Sequence, residues 1–65
     1  MVKNRIKEII VESGLKQNFV AQKVGVTDSL MSQWANNKKQ PKIQNLMKLS
    51  NVLGCKIEEL YGRHR

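Results

Sequence analysis

The sequence predicts an all-α domain built from five short helices. Apolar residues recur three and four positions apart over most of its length, which is the spacing of a helix with one buried face. Glycine or asparagine follows each of the first four such segments, and both residues favour the left-handed backbone that ends a helix. Sixty-five residues are enough for one domain. We place it at residues 1–61, with a flexible basic tail at 62–65.

The first helix is expected over residues 1–11. Its buried face would consist of Val2, Ile6, Ile9 and Ile10. Gly14 then allows the chain to turn, and Gln17 lies at the start of the second helix.

Residues 17–36 contain the two central helices and the tight turn between them. The first of the two is expected to bury Val20, Ala21 and Val24. Gly25 tolerates the left-handed backbone of a sharp turn. Thr27 can cap the next helix, because its hydroxyl can accept a hydrogen bond from a free backbone N–H. That helix is expected to face the core with Met31, Trp34 and Ala35.

The opposite side of this third helix is polar. It carries Asp28, Ser29, Ser32, Gln33 and Asn36. Hydroxyl and amide groups suit the reading of base edges, and glutamine can form two hydrogen bonds with adenine. A solvated helix face is the other interpretation, and the face alone does not decide between them. Trp34 is interpreted as a core anchor, since its spacing places it inward.

A lysine-rich loop follows the third helix. Asn37 stands at the expected helix end, where asparagine is second only to glycine. Lys38, Lys39 and Lys42 could contact phosphates, and each neutralised phosphate steepens the log–log salt dependence of binding by about 0.9. The alternative is that the loop is simply solvated.

The fourth helix is expected at residues 43–53, just after Pro41, which presets the backbone for a helix start. Its buried side would consist of Ile43, Leu46, Met47, Leu49, Ser50 and Leu53. Gly54 ends it, and a short last helix is expected at residues 56–61. Cys55 is interpreted as a small buried residue and not as a reactive thiol.

The charge balance is strongly basic, with 12 Lys and Arg against five Asp and Glu and a net charge of +7. Nucleic acid, anionic membranes and acidic proteins are the partners that such a field attracts, and solubility is the alternative explanation. Nucleic acid is favoured over membrane because no helix combines a strongly basic face with a bulky apolar one.

Several function classes are not supported by the sequence. It has no Ser-His-Asp or Cys-His arrangement, no Gly-rich phosphate loop and no cluster with metal-ligand spacing, so we expect no enzyme, cofactor or metal. The one cysteine excludes an intrachain disulfide. No apolar run reaches the ~20 residues that span a bilayer, and no signal-peptide core is recognisable. A cytoplasmic location is therefore expected.

The central stretch resembles the helix-turn-helix of the Cro and repressor type, the XRE-like domains of phage and bacterial regulators. Gln17 and Val20-Ala21 correspond to the opening Gln and the Leu-Ala pair of that family, and Val24-Gly25-Val26-Thr27 resembles its Leu-Gly-Val-Ser turn. Pro41, Leu46 and residues 53–60 extend the resemblance over nearly the whole chain. It implies a compact five-helix, lambda-repressor-like domain.

The resemblance also implies functional roles. Those implied for base contact are Asp28, Ser29, Ser32 and Gln33, and for Asp28 helix capping is the favoured alternative. Those implied for phosphate contact are Gln17, Thr27, Asn36, Lys38, Lys39 and Lys42, and for Gln17 a solvent-exposed side chain without a contact is the alternative. Those implied for a dimer interface are Cys55, Ile57, Leu60 and Tyr61, and the alternative is that this last helix only covers the core. The implied function is sequence-specific binding of double-stranded DNA by a homodimer that represses at a near-palindromic operator. No small-molecule effector is evident, and we expect no room for an effector domain.

Two departures from the family pattern carry expectations of their own. Phe19 stands where relatives have a polar residue, and local packing is the favoured explanation. Ile10 and Ala35 replace an Arg–Glu ion pair of many relatives, which predicts that the two positions touch. The alternative function is a protein-interaction module, an antitoxin or anti-regulator, that binds its partner through apolar groups such as Phe19, Leu30 or Tyr61.

Overall fold

The computed structural model describes residues 3–61, which contain four α-helices and a C-terminal 3-10 helix. The elements are α1 (Ile6–Ser13), α2 (Gln17–Val24), α3 (Asp28–Ala35), α4 (Ile43–Leu53) and the 3-10 helix Ile57–Tyr61. Residues 3–61 include no strand, and the predicted all-α class is confirmed. The expected tail at 62–65 lies outside the described residues. No helix in the described part is both long and apolar enough to cross a bilayer.

All five elements contribute to one core. Its fully or nearly buried members are Ile6, Ile9, Ile10, Val20, Ala21, Val24, Met31, Trp34, Leu46, Leu49 and Leu60. The helix α2 packs against both α3 and α4, and the 3-10 helix packs against α4 and α1. Burial of apolar area is the main favourable contribution to folding, so α3 is held in place from behind by the core.

The turn between α2 and α3 has the predicted backbone. Gly25 has a φ of 91°, in the left-handed region, and its N–H donates to Ala21 O at 2.9 Å. The predicted cap is also present, since Leu30 N–H donates to Thr27 Oγ1 at 3.1 Å. At the other end of α3, Asn37 adopts a φ of 62°, the conformation for which Asn is the common substitute for Gly.

The first helix begins later than expected, at Ile6 and not at residue 1. Asn4 explains the difference, because its side chain Oδ1 accepts a hydrogen bond from Ile6 N–H at 3.0 Å and so satisfies a free donor of the first turn. Arg5 N–H donates to Leu60 O at 2.7 Å. The N-terminal segment is thus held by contacts distant in sequence, which override its helical spacing. Val2 lies outside the described residues.

The buried side of α4 is narrower than predicted. Leu46 and Leu49 are buried, whereas Ile43 and Met47 are 56% and 54% exposed. Successive residues of an α-helix are about 100° apart. Ile43 and Met47 therefore point about 60° and 100° away from Leu46, on the side opposite to Leu49. The exposure of Ile43 and Met47 could not be predicted from their apolar character, because single apolar residues are common on protein surfaces.

Candidate nucleic-acid interface

The outward side of α3 begins with exposed residues and becomes half-buried along the helix. Asp28 and Ser29 are exposed, and Ser32 and Gln33 are half-buried. Behind them, Met31 is 0% and Trp34 2% exposed, which confirms Trp34 as an anchor. Among residues 3–61, the Gln33 side-chain amide makes no hydrogen bond, so its donors and acceptor remain available to a ligand. The α3 helix thus presents a continuous polar surface on a rigid support.

The first turn of α3 lies beside α2. The two helices enclose a shallow cleft lined by Asn18, Gln22, Val26, Thr27 and Asp28. Thr27 uses its oxygen as an acceptor for the cap, so its hydroxyl proton is free to be donated outward. Sequence reasoning named only Gln17 on α2, which is half-buried. The exposed amides of Asn18 and Gln22 beside the cap were missed, although the two residues are four positions apart and share one face of α2.

The polar residues at the end of α3 are coupled to one another. Asn36 Nδ2 donates to Ser32 O at 3.0 Å and to Ser32 Oγ at 3.3 Å. The expected phosphate contact Asn36 and the expected base contact Ser32 are therefore neighbours, and Asn36 fixes the Ser32 hydroxyl.

The loop after α3 carries exposed basic side chains. Lys38 and Lys39 donate their backbone N–H groups to Gln33 O, at 2.8 and 3.2 Å. Their side chains and that of Lys42 are exposed. Because these bonds tie the loop to the third helix, the lysines lie directly beyond the end of the polar face.

Charge is unevenly distributed along the chain. Residues 14–55 contain a single acid, Asp28, and six lysines, which are Lys16, Lys23, Lys38, Lys39, Lys42 and Lys48. The other acids belong to α1 (Glu8 and Glu12) or to the 3-10 helix (Glu58 and Glu59). The central pair of helices and its loop therefore have a strongly positive potential, which attracts polyanions.

A buried asparagine organises the lysine loop, and sequence reasoning missed it. Asn4 is 4% exposed, and its Nδ2 donates to Trp34 O at 2.8 Å and to Gln40 Oε1 at 2.9 Å. Asn4 N–H donates to Asn37 Oδ1 at 2.7 Å, and Asn37 Nδ2 returns a bond to Asn4 O at 3.2 Å. The only available signal was a capping-type residue just before an apolar helix, which would not have indicated contacts more than 30 residues away.

The loop side of this network reaches the 3-10 helix. Gln40 Nε2 donates to Asn37 Oδ1 at 3.0 Å, and Tyr61 O–H donates to Gln40 Oε1 at 3.3 Å. A tyrosine phenol is protonated at neutral pH and can donate this bond; burial raises the pKa of Tyr61 further from that range.

The residues expected at a dimer interface differ in accessibility. Cys55, Ile57 and Tyr61 are half-buried, whereas Leu60 is 0% exposed. Leu60 is therefore a core residue whose side chain cannot reach a second chain, and it must be removed from the expected interface. Partial burial, and to a lesser extent the nearby Glu59 carboxylate, raise the pKa of Cys55, in agreement with an unreactive thiol.

Phe19 has a local partner. Its side chain is 40% exposed, and Lys23 Nζ lies 5.5 Å from the ring centroid, within the range of a cation–π contact. The ring is therefore covered in part by its own helix, as the local-packing interpretation predicted.

Comparison with known proteins gives consistent results. A helix-turn-helix family model matches residues 6–60. SinR from Bacillus subtilis has an N-terminal DNA-binding domain with 34% identity and a TM-score of 0.80, over 94% of this chain and 90% of that one. The P22 c2 repressor in complex with synthetic operator 9T has 29% identity and a TM-score of 0.81, over 89% of this chain and 88% of that one.

A Bacteroides fragilis protein of similar length has 30% identity and a TM-score of 0.88, over 92% of this chain and 97% of that one. A search of curated protein sequences gave no match. The similarity therefore comes from the family model and from solved structures, and it extends over almost the full chain.

Proposed function

Because the chain belongs to the Cro/repressor-type helix-turn-helix family, we propose that it is a sequence-specific, double-stranded-DNA-binding transcriptional regulator. The observation that carries the proposal is the polar outer surface of α3, supported from behind by Met31 and Trp34 and continued by the lysine loop. The operator-bound P22 c2 repressor shares the fold, which supports duplex DNA as the ligand.

In the proposed complex α3 lies in the major groove, which is wide enough to admit a helix. Gln33 is the principal base-reading residue, because its amide has reach and can form two hydrogen bonds with adenine. Ser29 and Ser32 contact neighbouring base edges. Asp28 lies in the first turn of α3, where a carboxylate is favoured by the helix dipole, and its primary role is to stabilise that helix end.

Phosphate contacts fix the orientation of the domain on the duplex. Thr27 and Gln17 lie at the starts of α3 and α2, where free backbone N–H groups also attract phosphate. Lys38, Lys39 and Lys42 contact the phosphates that flank the groove, with Asn36 beside them. These contacts supply affinity for any duplex, whereas the α3 side chains supply the preference for one sequence.

The finer proposal is a homodimer that represses transcription at a near-palindromic operator. Two α3 helices related by a two-fold axis would enter successive major grooves about 34 Å apart. The half-buried surface of Cys55, Ile57 and Tyr61 is proposed as the contact between the two copies. Bound in this way, the dimer would exclude other proteins from the same DNA, which is the simplest route to repression.

Selection of bound duplexes from a random pool tests this function. We expect a symmetric consensus with half-sites one helical turn apart, and the absence of any enriched sequence would contradict specificity. Enrichment of a single asymmetric half-site would contradict the dimer alone. The selected duplex then serves as the ligand in binding measurements on variants of the protein.

Two variants separate base reading from phosphate binding. Gln33→Ala should lose about 1–3 kcal/mol of binding free energy on the selected site and relax its sequence preference. Lys38→Ala should weaken binding to all duplexes alike and reduce the salt slope by about 0.9. The matched controls are Gln44→Ala and Lys48→Ala, exposed residues on α4, which should change neither quantity. A uniform loss of affinity from Gln33→Ala would contradict its role.

The second candidate is a protein-interaction module on the same fold. The observation that favours it is the exposed apolar pair on α4, Ile43 and Met47. An electrophoretic mobility assay with mixed duplex DNA distinguishes the two functions. Retardation at micromolar protein and modest salt supports the regulator, and its absence supports the module.

A further inference from the structure

We propose that Asn4 is a positioning residue for DNA binding: it holds the lysine loop in register with α3, although it contacts no DNA itself. The inference rests on the proposed function. It also assigns a role to a side chain outside the helix-turn-helix and ahead of the first helix.

Asn4 is buried although its side chain is polar. Its side chain is the only polar one buried among residues 3–61, and the burial of an amide is unfavourable unless its hydrogen bonds are made. They are made, since Nδ2 donates to Trp34 O and Gln40 Oε1 and Oδ1 accepts from Ile6 N–H. An apolar residue at this position would cap neither α1 nor the end of α3.

The partners of Asn4 lie on both sides of the lysines. The Asn4 side chain bonds to Trp34 and Gln40, and its backbone bonds to the Asn37 side chain; these three residues flank Lys38 and Lys39. Trp34 belongs to α3, Asn37 has the left-handed backbone that ends this helix, and Gln40 lies beyond the lysines. Asn4 therefore joins both sides of a short loop to the helix that precedes it.

Besides Asn4, a small number of bonds restrains the loop. Within the described residues, its backbone is bonded to α3 through Asn37 N–H to Trp34 O at 3.1 Å and through Lys38 and Lys39 N–H to Gln33 O at 2.8 and 3.2 Å. Its side chains add the bonds from Gln40 to Asn37 and from Tyr61 to Gln40, and the lysine side chains are exposed. A loop with few buried contacts opens at low free-energy cost. Loss of the Asn4 bonds would therefore let the lysines move while the apolar core stays intact.

The network also extends toward the proposed dimer surface. Tyr61 O–H donates to the same Gln40 oxygen that accepts from Asn4, at 3.3 Å. The order of the loop should accordingly respond weakly to Tyr61→Phe, which removes this one donor and keeps the ring.

The experiment compares Asn4→Ala with Ile9→Val, a core change in α1 that also lowers stability but touches no part of the loop. Affinity for the selected duplex is measured as a function of salt. We expect Asn4→Ala to reduce the slope of log K against log salt by about 0.9 to 1.8, which corresponds to one or two lost phosphate contacts. Ile9→Val should leave the slope unchanged. Equal slopes for wild type and Asn4→Ala would overturn the inference.

A second measurement needs no DNA. Hydrogen exchange should show that Asn4→Ala lowers the protection of the Lys38 and Lys39 amides relative to that of Gly25, whose N–H bonds to Ala21 O. Ile9→Val should not lower the protection of the Lys38 and Lys39 amides relative to that of Gly25, because it changes the core and not the loop. Unchanged relative protection in Asn4→Ala would overturn the inference even if the protein binds DNA. A wild-type protein without affinity for DNA would overturn the proposed function, and the exchange data would still decide whether Asn4 orders the loop.

If Asn4→Ala does not fold, Gln40→Ala replaces it. Gln40 is exposed, so the core is untouched, and the change removes the oxygen that accepts from Asn4 Nδ2 beyond the lysines. We expect a reduction in slope and a loss of Lys38 and Lys39 amide protection in the same direction as for Asn4→Ala. A full wild-type slope in Gln40→Ala would contradict the proposal.

Discussion

Replacement of Thr27 separates the stabilising role of this residue from its proposed contact with phosphate. In Thr27→Ala the Leu30 N–H loses its 3.1 Å bond to the Thr27 hydroxyl. The loss of an N-cap costs about 0.5–2 kcal/mol. Because the bond is solvent-exposed, water can partly replace it, and we expect a decrease of about 1 kcal/mol in the free energy of unfolding.

This loss is large enough to measure as a change in Tm. The entropy of unfolding is about 2.1 cal/mol/K per residue, or about 0.14 kcal/mol/K for a chain of 65 residues. A loss of 1 kcal/mol then lowers Tm by about 7 °C. Differential scanning calorimetry or a circular-dichroism melt resolves such a shift readily.

Two further variants give the assay its control. Thr27→Ser retains the cap and the hydroxyl proton, so both Tm and DNA affinity should remain near those of the wild type. Thr27→Asp retains a cap acceptor but places a negative charge beside the proposed phosphate, so Tm should recover while DNA affinity falls. If Thr27→Ala melts like the wild type, the cap contributes nothing. If Thr27→Asp binds DNA normally, no phosphate lies there.

Three other predictions concern the core, the surface and the cysteine. Ile10→Arg should lower the free energy of unfolding by about 3 kcal/mol or more, because it buries an unpaired charge at a position that is 4% exposed. Ala35→Glu in the same chain should restore part of the loss. An unchanged melting temperature for the single variant would contradict the predicted contact. Met47→Lys should change the free energy of unfolding by less than about 0.5 kcal/mol, because the side chain is more than half exposed; a large loss would show that Met47 is needed by the core. Cys55 should be alkylated more slowly than a free thiol at pH 8, because its raised pKa reduces the thiolate fraction. Its alkylation rate should still increase with pH in the range where the rate of a free thiol has become constant. Equal alkylation rates for Cys55 and a free thiol would contradict the burial of Cys55.

The central pair of helices could be predicted because its signals are local. Val20, Ala21 and Val24 share a helical face, Gly25 alone suits the backbone of the turn, and Thr27 lies where a cap must lie. Each signal involves residues within four positions of one another, and all of them agree with the tertiary structure. The polar surface of α3 could be predicted from the same pattern, because it lies on the helix face opposite to the buried Met31 and Trp34.

The parts that could not be predicted depend on contacts between distant residues. The start of α1 is fixed by Asn4, whose partners lie more than 30 positions away. The exposure of Met47 depends on where the other helices lie around α4, which its apolar character does not reveal. Leu60 was expected at a dimer interface because of the family resemblance, whereas the packing of the 3-10 helix places it in the core.

The position of the acids along the chain has a kinetic consequence. Four of the five belong to the first and last helices, and the intervening segment with the turn and the loop is almost purely cationic. The positive potential of this segment attracts a polyanion toward α3 and the lysine loop before any contact is made. The α3 helix would then meet the duplex more often than chance allows. Added salt should consequently slow association as well as weaken the complex.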